Sequence, residues 1–279
     1  MTSPPTLTDR PALTWHRTRA LRLPGHDDAL FLHRLARSDI QERLLEVNRT
    51  FTTPAVVTGF PAIWDGIVGG ATSVEDTDAL TLVPGAHDLV IHAMGLHWAS
   101  DPLGQLVQCR RALRPDGLFV AVLAGGRSLH ELRSALAEAE SLVTGGLSPR
   151  VLPMGEIRDL GALMQRAGFA LPVADSFTQT VHYPDFAGLC ADLRAMGETN
   201  ALSARLRRFT RRDVLAMAEA VYRANFSSTE GKLVATFDLV FLTGWAPHES
   251  QQLPLRPGSA RQRLAEALGV PEEPLPKDG

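Results

Sequence analysis

Three runs decide the fold: Asp88-Leu89-Val90-Ile91-His92-Ala93, then Leu96-His97-Trp98-Ala99-Ser100-Asp101-Pro102, then Arg114-Pro115-Asp116-Gly117-Leu118-Phe119-Val120-Ala121-Val122-Leu123-Ala124. The apolar parts of the first and third are short and continuous, as expected of strands buried on both faces of a parallel sheet. Between them, residues 102–113 predict a helix. Proline stands at its first turn, Leu103, Leu106 and Val107 recur along it, and Arg110 and Arg111 sit near its end, where the helix dipole favours cations. Residues 114–117 form a turn by composition, and Gly125-Gly126 stops the strand that follows. Strand, helix and strand in this order predict an α/β sheet with helices on both faces.

Upstream, Pro54-Ala55-Val56-Val57-Thr58-Gly59-Phe60-Pro61 predicts another buried strand ended by turn residues. Residues 29–49 carry Leu30, Leu32, Leu35, Ile40, Leu44, Leu45 and Val47 at near-helical spacing and predict one or two amphipathic helices. Residues 1–28, with Arg10, Arg17, Arg19, Arg22 and scattered prolines, are expected to be a loose arm. Downstream, helices are predicted over 129–143, 157–167, 186–196 and 213–226, with a return to the sheet over 169–173. A long strand over 234–242 is expected as an antiparallel edge. The proline-rich stretch 252–279 reads as a tail with one short helix over 260–268.

Composition narrows the function classes. A net charge of -3 and 44% apolar content give no basic field for nucleic acid. No run approaches the roughly 18 apolar residues that span a bilayer, and a cytoplasmic protein without an integral membrane segment is expected. Cys109 and Cys190 stand far apart and form neither a disulfide framework nor a zinc cluster. Nucleophile-elbow, P-loop and calcium-loop motifs are all missing from the sequence.

Taken in order, the opening runs resemble the second half of a class I S-adenosylmethionine methyltransferase domain. There an Asp-Leu-Val strand leads to a His-Trp loop, a helix and an Arg-Pro-Asp-Gly turn. Within that superfamily the chain resembles the malonyl-carrier-protein methyltransferase of biotin synthesis and, more strongly, the complex I assembly factor 5 group. The stronger likeness rests on Gly125-Gly126-Arg127-Ser128-Leu129-His130-Glu131-Leu132-Arg133, Gly145-Gly146-Leu147-Ser148-Pro149, Arg166-Ala167-Gly168-Phe169, Met196-Gly197-Glu198-Thr199-Asn200 and Gly244-Trp245-Ala246-Pro247-His248-Glu249-Ser250-Gln251. The fold this implies is a Rossmann-like class I methyltransferase sheet, mostly parallel with an antiparallel edge strand. Helical insertions are expected at about 129–168 and 185–227 within a domain over 29–251. The function implied is an S-adenosylmethionine-dependent methyltransferase acting on a protein or carrier-bound substrate. The alternative is a catalytically inactive, or hydroxylase-type, assembly or interaction factor whose partner is a subunit of respiratory complex I.

The first half departs from that pattern, so the fold is expected to be truncated at its cofactor end. Such enzymes bring bare glycine backbone against the cofactor, which any side chain would block. Here one glycine, Gly59, is followed by Phe60 and Pro61, and too few residues separate Gly59 from Asp88 for the usual two strands and two helices. Gly69-Gly70 reads as a displaced glycine loop or as a turn. Glu75-Asp76-Thr77-Asp78 resembles the stretch that contacts adenine, or a solvated loop. The candidate cofactor-binding residues are Gly59, Asp76, Asp78 and His97.

His97 and Trp98 follow a strand's carboxyl end, where ligands bind in open α/β sheets. Asp101 beside them is either a polar group of the pocket or the N-cap of the helix at Pro102. His97, Trp98, Glu198 and Asn200 are the candidate catalytic residues. Hydroxylation would suit iron on two histidines and a carboxylate, for which His97, His248 and Glu198 are conceivable, but no metal site is assigned. His248 with its neighbours equally reads as a hydrogen-bonded loop.

Overall fold

The computed structural model describes residues 6–251. The chain divides into two units, Met1–Pro247 and His248–Gly279. The tail over 252–279, its expected helix and the first five residues of the arm lie outside the described residues.

Six strands form one sheet in the order β2-β1-β3-β4-β6-β5. They are β1 (Pro54–Thr58), β2 (Thr72–Val74), β3 (His87–Ala93), β4 (Leu113–Gly125), β5 (Ala170–Tyr183) and β6 (Leu233–Trp245). Strands β2, β1, β3 and β4 pair in parallel, whereas β6 is antiparallel to both β4 and β5. The expected mostly parallel sheet with antiparallel pairing at one edge is thus present. The antiparallel strand lies one place in, with β5 outside it. The cofactor end is short as expected, because beyond β1 only the three-residue β2 remains.

Side chains alternate between two cores, as the pleat requires. Val56, Leu89, Ile91, Val120, Val122 and Phe241 enter one face. Ala55, Val57, Val90, Phe119, Ala121 and Leu242 enter the other. The first face is covered by α3 (Phe31–Glu46), α6 (His130–Thr144), α8 (Phe186–Ala195) and α9 (Arg212–Asn225). The second is covered by α5 (Pro102–Ala112) and α7 (Ile157–Arg166). Among the described residues, α1 (Arg10–Ala20) and two short helices, α2 (His26–Ala29) and α4 (Pro61–Trp64), complete the set.

The expected loose arm is corrected by α1 (Arg10–Ala20). Asp9 caps it by accepting from the Ala12 amide at 3.1 Å, and Pro11 fits its first turn. Leu13 and Ala20 are fully buried, and Leu13 packs with Trp98, Leu152, Ala201 and Leu202. Burying that leucine alone contributes about 2 kcal/mol.

Candidate functional site

The strand order reverses between β1 and β3, which places a crevice at their carboxyl ends. Gly59 and Phe60 enter it after β1. A single 3-10 turn, Leu96–Trp98, enters after β3, closed by the Trp98 amide donating to the Gly95 carbonyl at 3.1 Å. The third contributor is the segment after α8. Gly197 stands at φ +80°, and its amide donates to Arg194 O at 3.2 Å while the Glu198 amide donates to Leu193 O at 3.0 Å. This Schellman turn ends the helix and swings Glu198 towards the 3-10 turn. The positive φ favours glycine there, and a Cβ would press on Phe60 at 3.1 Å and on the Arg17 backbone at 3.3 Å.

His97, Trp98 and Glu198 meet. The Trp98 indole donates to Glu198 Oε2 at 2.7 Å, and His97 Nε2 lies 3.4 Å from the same oxygen. Glu198 Oε1 accepts no hydrogen bond among the described residues, and the buried His97 Nδ1 has no partner. Burial raises the Glu198 pKa, but His97, the Arg17 charge and the Trp98 indole outweigh it and bring the carboxyl down to about 2. An ionised carboxylate therefore stands beside a cavity of about 190 Å³. Leu32, Met94, Leu132, Leu152, Leu193 and Phe237 supply much of its apolar lining. Asn200 also lines this cavity, but its Nδ2 donates to Pro149 O at 2.9 Å and its Oδ1 accepts from the Leu202 amide at 3.0 Å. It holds two loops together at the rim. Asp101 caps α5, accepting from the Gly104 amide at 2.8 Å.

The candidate cofactor residues are arranged differently. Asp76 is buried, and Arg17 from α1 grips it through contacts of 2.8, 3.0 and 3.0 Å. A Cβ on Gly59 would lie 1.9 Å from Arg17 Nη1, and one on Gly95 would lie 2.5 Å from Asp76 Oδ2. The glycine faces that the cofactor would need are thus covered by an ion pair of the chain itself. Phe60 fills the next space, 5% exposed, with the Arg17 guanidinium 5.2 Å and the His33 ring 4.8 Å from its ring centre. Asp78 is half exposed and pairs with Arg10 at 3.0 Å. The residues present do not fit S-adenosylmethionine in the crevice. Gly69 and Gly70 line a separate open depression with Trp64 and Val68.

His248 lies in the second unit, where its Nδ1 sits 2.7 Å from Ser250 Oγ and its carbonyl accepts from the Gln251 amide at 3.2 Å. Among the described residues, no group of three His, Cys, Asp or Glu side chains is arranged to hold a metal ion. No helix among them is long and apolar enough to cross a membrane.

Two cations escaped the sequence reading. Arg17 was hidden because its partner is 59 residues away, although Asp9 and Pro11 signalled a helix start. Arg150 lines the cavity rim, held by Glu140 at 2.7 Å and Thr210 at 2.8 Å.

No protein-family profile matches the chain. Among curated proteins, it is 33% identical over 232 residues to the mitochondrial arginine-hydroxylase NDUFAF5 of Danio rerio, covering 82% of this chain and 72% of that one. It is 39% identical over 184 residues to the Dictyostelium discoideum protein of the same name, covering 66% of this chain but only 42% of that one. A malonyl-acyl-carrier-protein O-methyltransferase of Methylovorus is 31% identical over 192 residues, covering 68% of this chain and 62% of that enzyme. The chain thus spans about two fifths to three fifths of the length of several curated relatives it matches, yet nearly three quarters of the zebrafish protein. With its sheet order and its Leu-His-Trp and Met-Gly-Glu-x-Asn segments, the chain belongs to the NDUFAF5 family within the class I methyltransferase superfamily.

Proposed function

We propose that this protein recognises an arginine side chain of a partner protein in the cavity beside Glu198, and that it does so without S-adenosylmethionine. The observation that carries the reading is the Glu198 carboxylate. It is ionised, one oxygen is held by Trp98 and the other is uncommitted, and it adjoins an apolar cavity. An arginine matches both parts, because its methylenes suit the apolar walls and its planar fork suits a carboxylate. The arginine-hydroxylase name of the relatives supports the same guest. Against a methyltransferase stands the crevice at β1, where Arg17, Asp76 and Phe60 occupy the cofactor's space. The partner implied by the family resemblance is a subunit of respiratory complex I. A reducing compartment such as the cytoplasm suits Cys109 and Cys190, both free thiols.

Fluorescence anisotropy with short labelled peptides tests the reading. A peptide with a central arginine should bind at least about tenfold more tightly than the same peptide with citrulline, and Glu198→Gln should erase that difference. Equal binding of the two peptides to the native protein would refute the pocket assignment. Calorimetry should detect no S-adenosylmethionine binding, and micromolar affinity would overturn the cofactor-free part.

A further inference from the structure

Cations gather outside the cavity, whereas Glu198 is the one carboxylate among the described residues that lines it. Arg150, Thr199 and Asn200 line both the cavity and an open depression outside it, whose walls include Trp15, Arg19, Arg208 and Phe209. No Asp or Glu lines that depression. Some of its arginines are already paired, Arg150 with Glu140, and Arg205 and Arg207 with Asp9, whose single charge the two share. Arg19 and Arg208 have no ion pair among the described residues, and the same holds for Arg194 on the cavity wall. Arg19 lies 5.4 Å over the Trp15 ring. Phe209 is fully exposed, and Trp15 is 57% exposed.

We propose that the occupant of this depression is an extended protein segment carrying acidic residues on either side of the arginine that enters the cavity. This inference rests on the pocket reading above and names the partner's chemistry. Glu198, the one carboxylate lining the cavity among the described residues, selects a cation at a single position. Arg19 and Arg208 outside repel cations and attract carboxylates at the neighbouring positions, so the surface selects the pattern acidic–Arg–acidic. Trp15 and Phe209 offer aromatic faces for the segment's backbone and apolar side chains. An anionic bilayer would meet the same charges, but a flat surface cannot follow the depression past Arg150, Thr199 and Asn200 into the cavity that shares those walls.

Labelled peptides with a central arginine and either aspartate or serine on both sides provide the test. The acidic-flanked peptide should bind the full chain about tenfold more tightly, and the difference should shrink as salt screens the rim. Arg19→Gln/Arg208→Gln should lower the acidic-over-serine ratio from about tenfold to about twofold. An arginine-dependent but flank-independent affinity would overturn this proposal and leave the pocket reading standing. Loss of arginine dependence altogether would overturn the pocket reading first. Binding to phosphatidylglycerol-containing vesicles that the Arg19→Gln/Arg208→Gln variant abolishes, with no flank effect on peptides, would assign the rim to a membrane and refute the acidic segment.

Discussion

Replacing Arg17 with methionine should be among the most damaging single changes outside the sheet. The pair it forms with Asp76 is enclosed, the side chains being 10% and 3% exposed, and its three contacts run from 2.8 to 3.0 Å. Among the described residues no other side chain donates to that carboxylate, which lies against Gly59 and Gly95. Removing one partner of such a buried pair costs about 3 to 5 kcal/mol, because the remaining charge is left desolvated and alone. A domain has only about 5 to 15 kcal/mol in total, so Arg17→Met should move the urea midpoint far down. Asp76→Asn alone should cost less, because the guanidinium keeps its place over Phe60. The double variant Arg17→Met/Asp76→Asn buries no charge and should recover at least half of the larger loss. The assay is a double-mutant cycle by urea unfolding followed by circular dichroism, with a coupling of about 2 kcal/mol or more expected. Two single losses below about 1 kcal/mol that simply add would refute the buried-pair reading, and with it the claim that this pair closes the crevice.

The acid side of the stability profile should be steep. Burial pushes His33 down to about 3 and His92 to about 4, from the ordinary 6.5. The unfolded chain takes up protons below pH 6.5 that the folded chain refuses, so stability is full above that pH and falls beneath it. At pH 5 the two residues together remove about 4 kcal/mol; an unchanged urea midpoint between pH 7 and pH 5 would sink this account. Glu198 adds to the loss below about pH 4.5, since its folded pKa of about 2 lies beneath the unfolded 4.5. Gly197→Ala should cost about 1 to 2 kcal/mol from its left-handed backbone alone and should also weaken arginine-peptide binding, because the turn aims Glu198. Gly69→Ala, which meets nothing within 4 Å at an ordinary φ, is its matched control and should stay within about 0.5 kcal/mol of the parent in the same titrations.

What could be read from the sequence follows the range of the forces involved. The middles of β3 and β4, residues 89–91 and 118–124, are plain because chain covered on both faces is continuously apolar within one short window, whereas residues 114–117, expected as a turn, belong to β4. Strand β5 was read only as 169–173, yet it runs over Ala170–Tyr183, because an edge strand with polar residues such as Ser176, Thr178 and Gln179 lacks that signal. Helix α1 was missed for the opposite reason. Its one buried charge, Arg17, resembles a solvated arginine until Asp76 is brought beside it. At the candidate site, the sequence marks His97 and Trp98 by their place after a strand and Glu198 by its motif. Their meeting across about 100 residues, and the paired and bare arginines of the rim, depend on tertiary structure alone.

The turn that ends α8 has one more consequence. The last carbonyls of a helix form the negative end of its dipole, and Glu198 sets a full negative charge directly after them. Arg194 in the same last turn, with Arg17 and His97 around the carboxylate, offsets that repulsion. A cationic guest on the carboxylate would add to the compensation. Occupancy of the cavity should therefore be felt as a stiffening of that turn, with slower amide exchange over residues 193–198, in a helix whose other end never touches the guest.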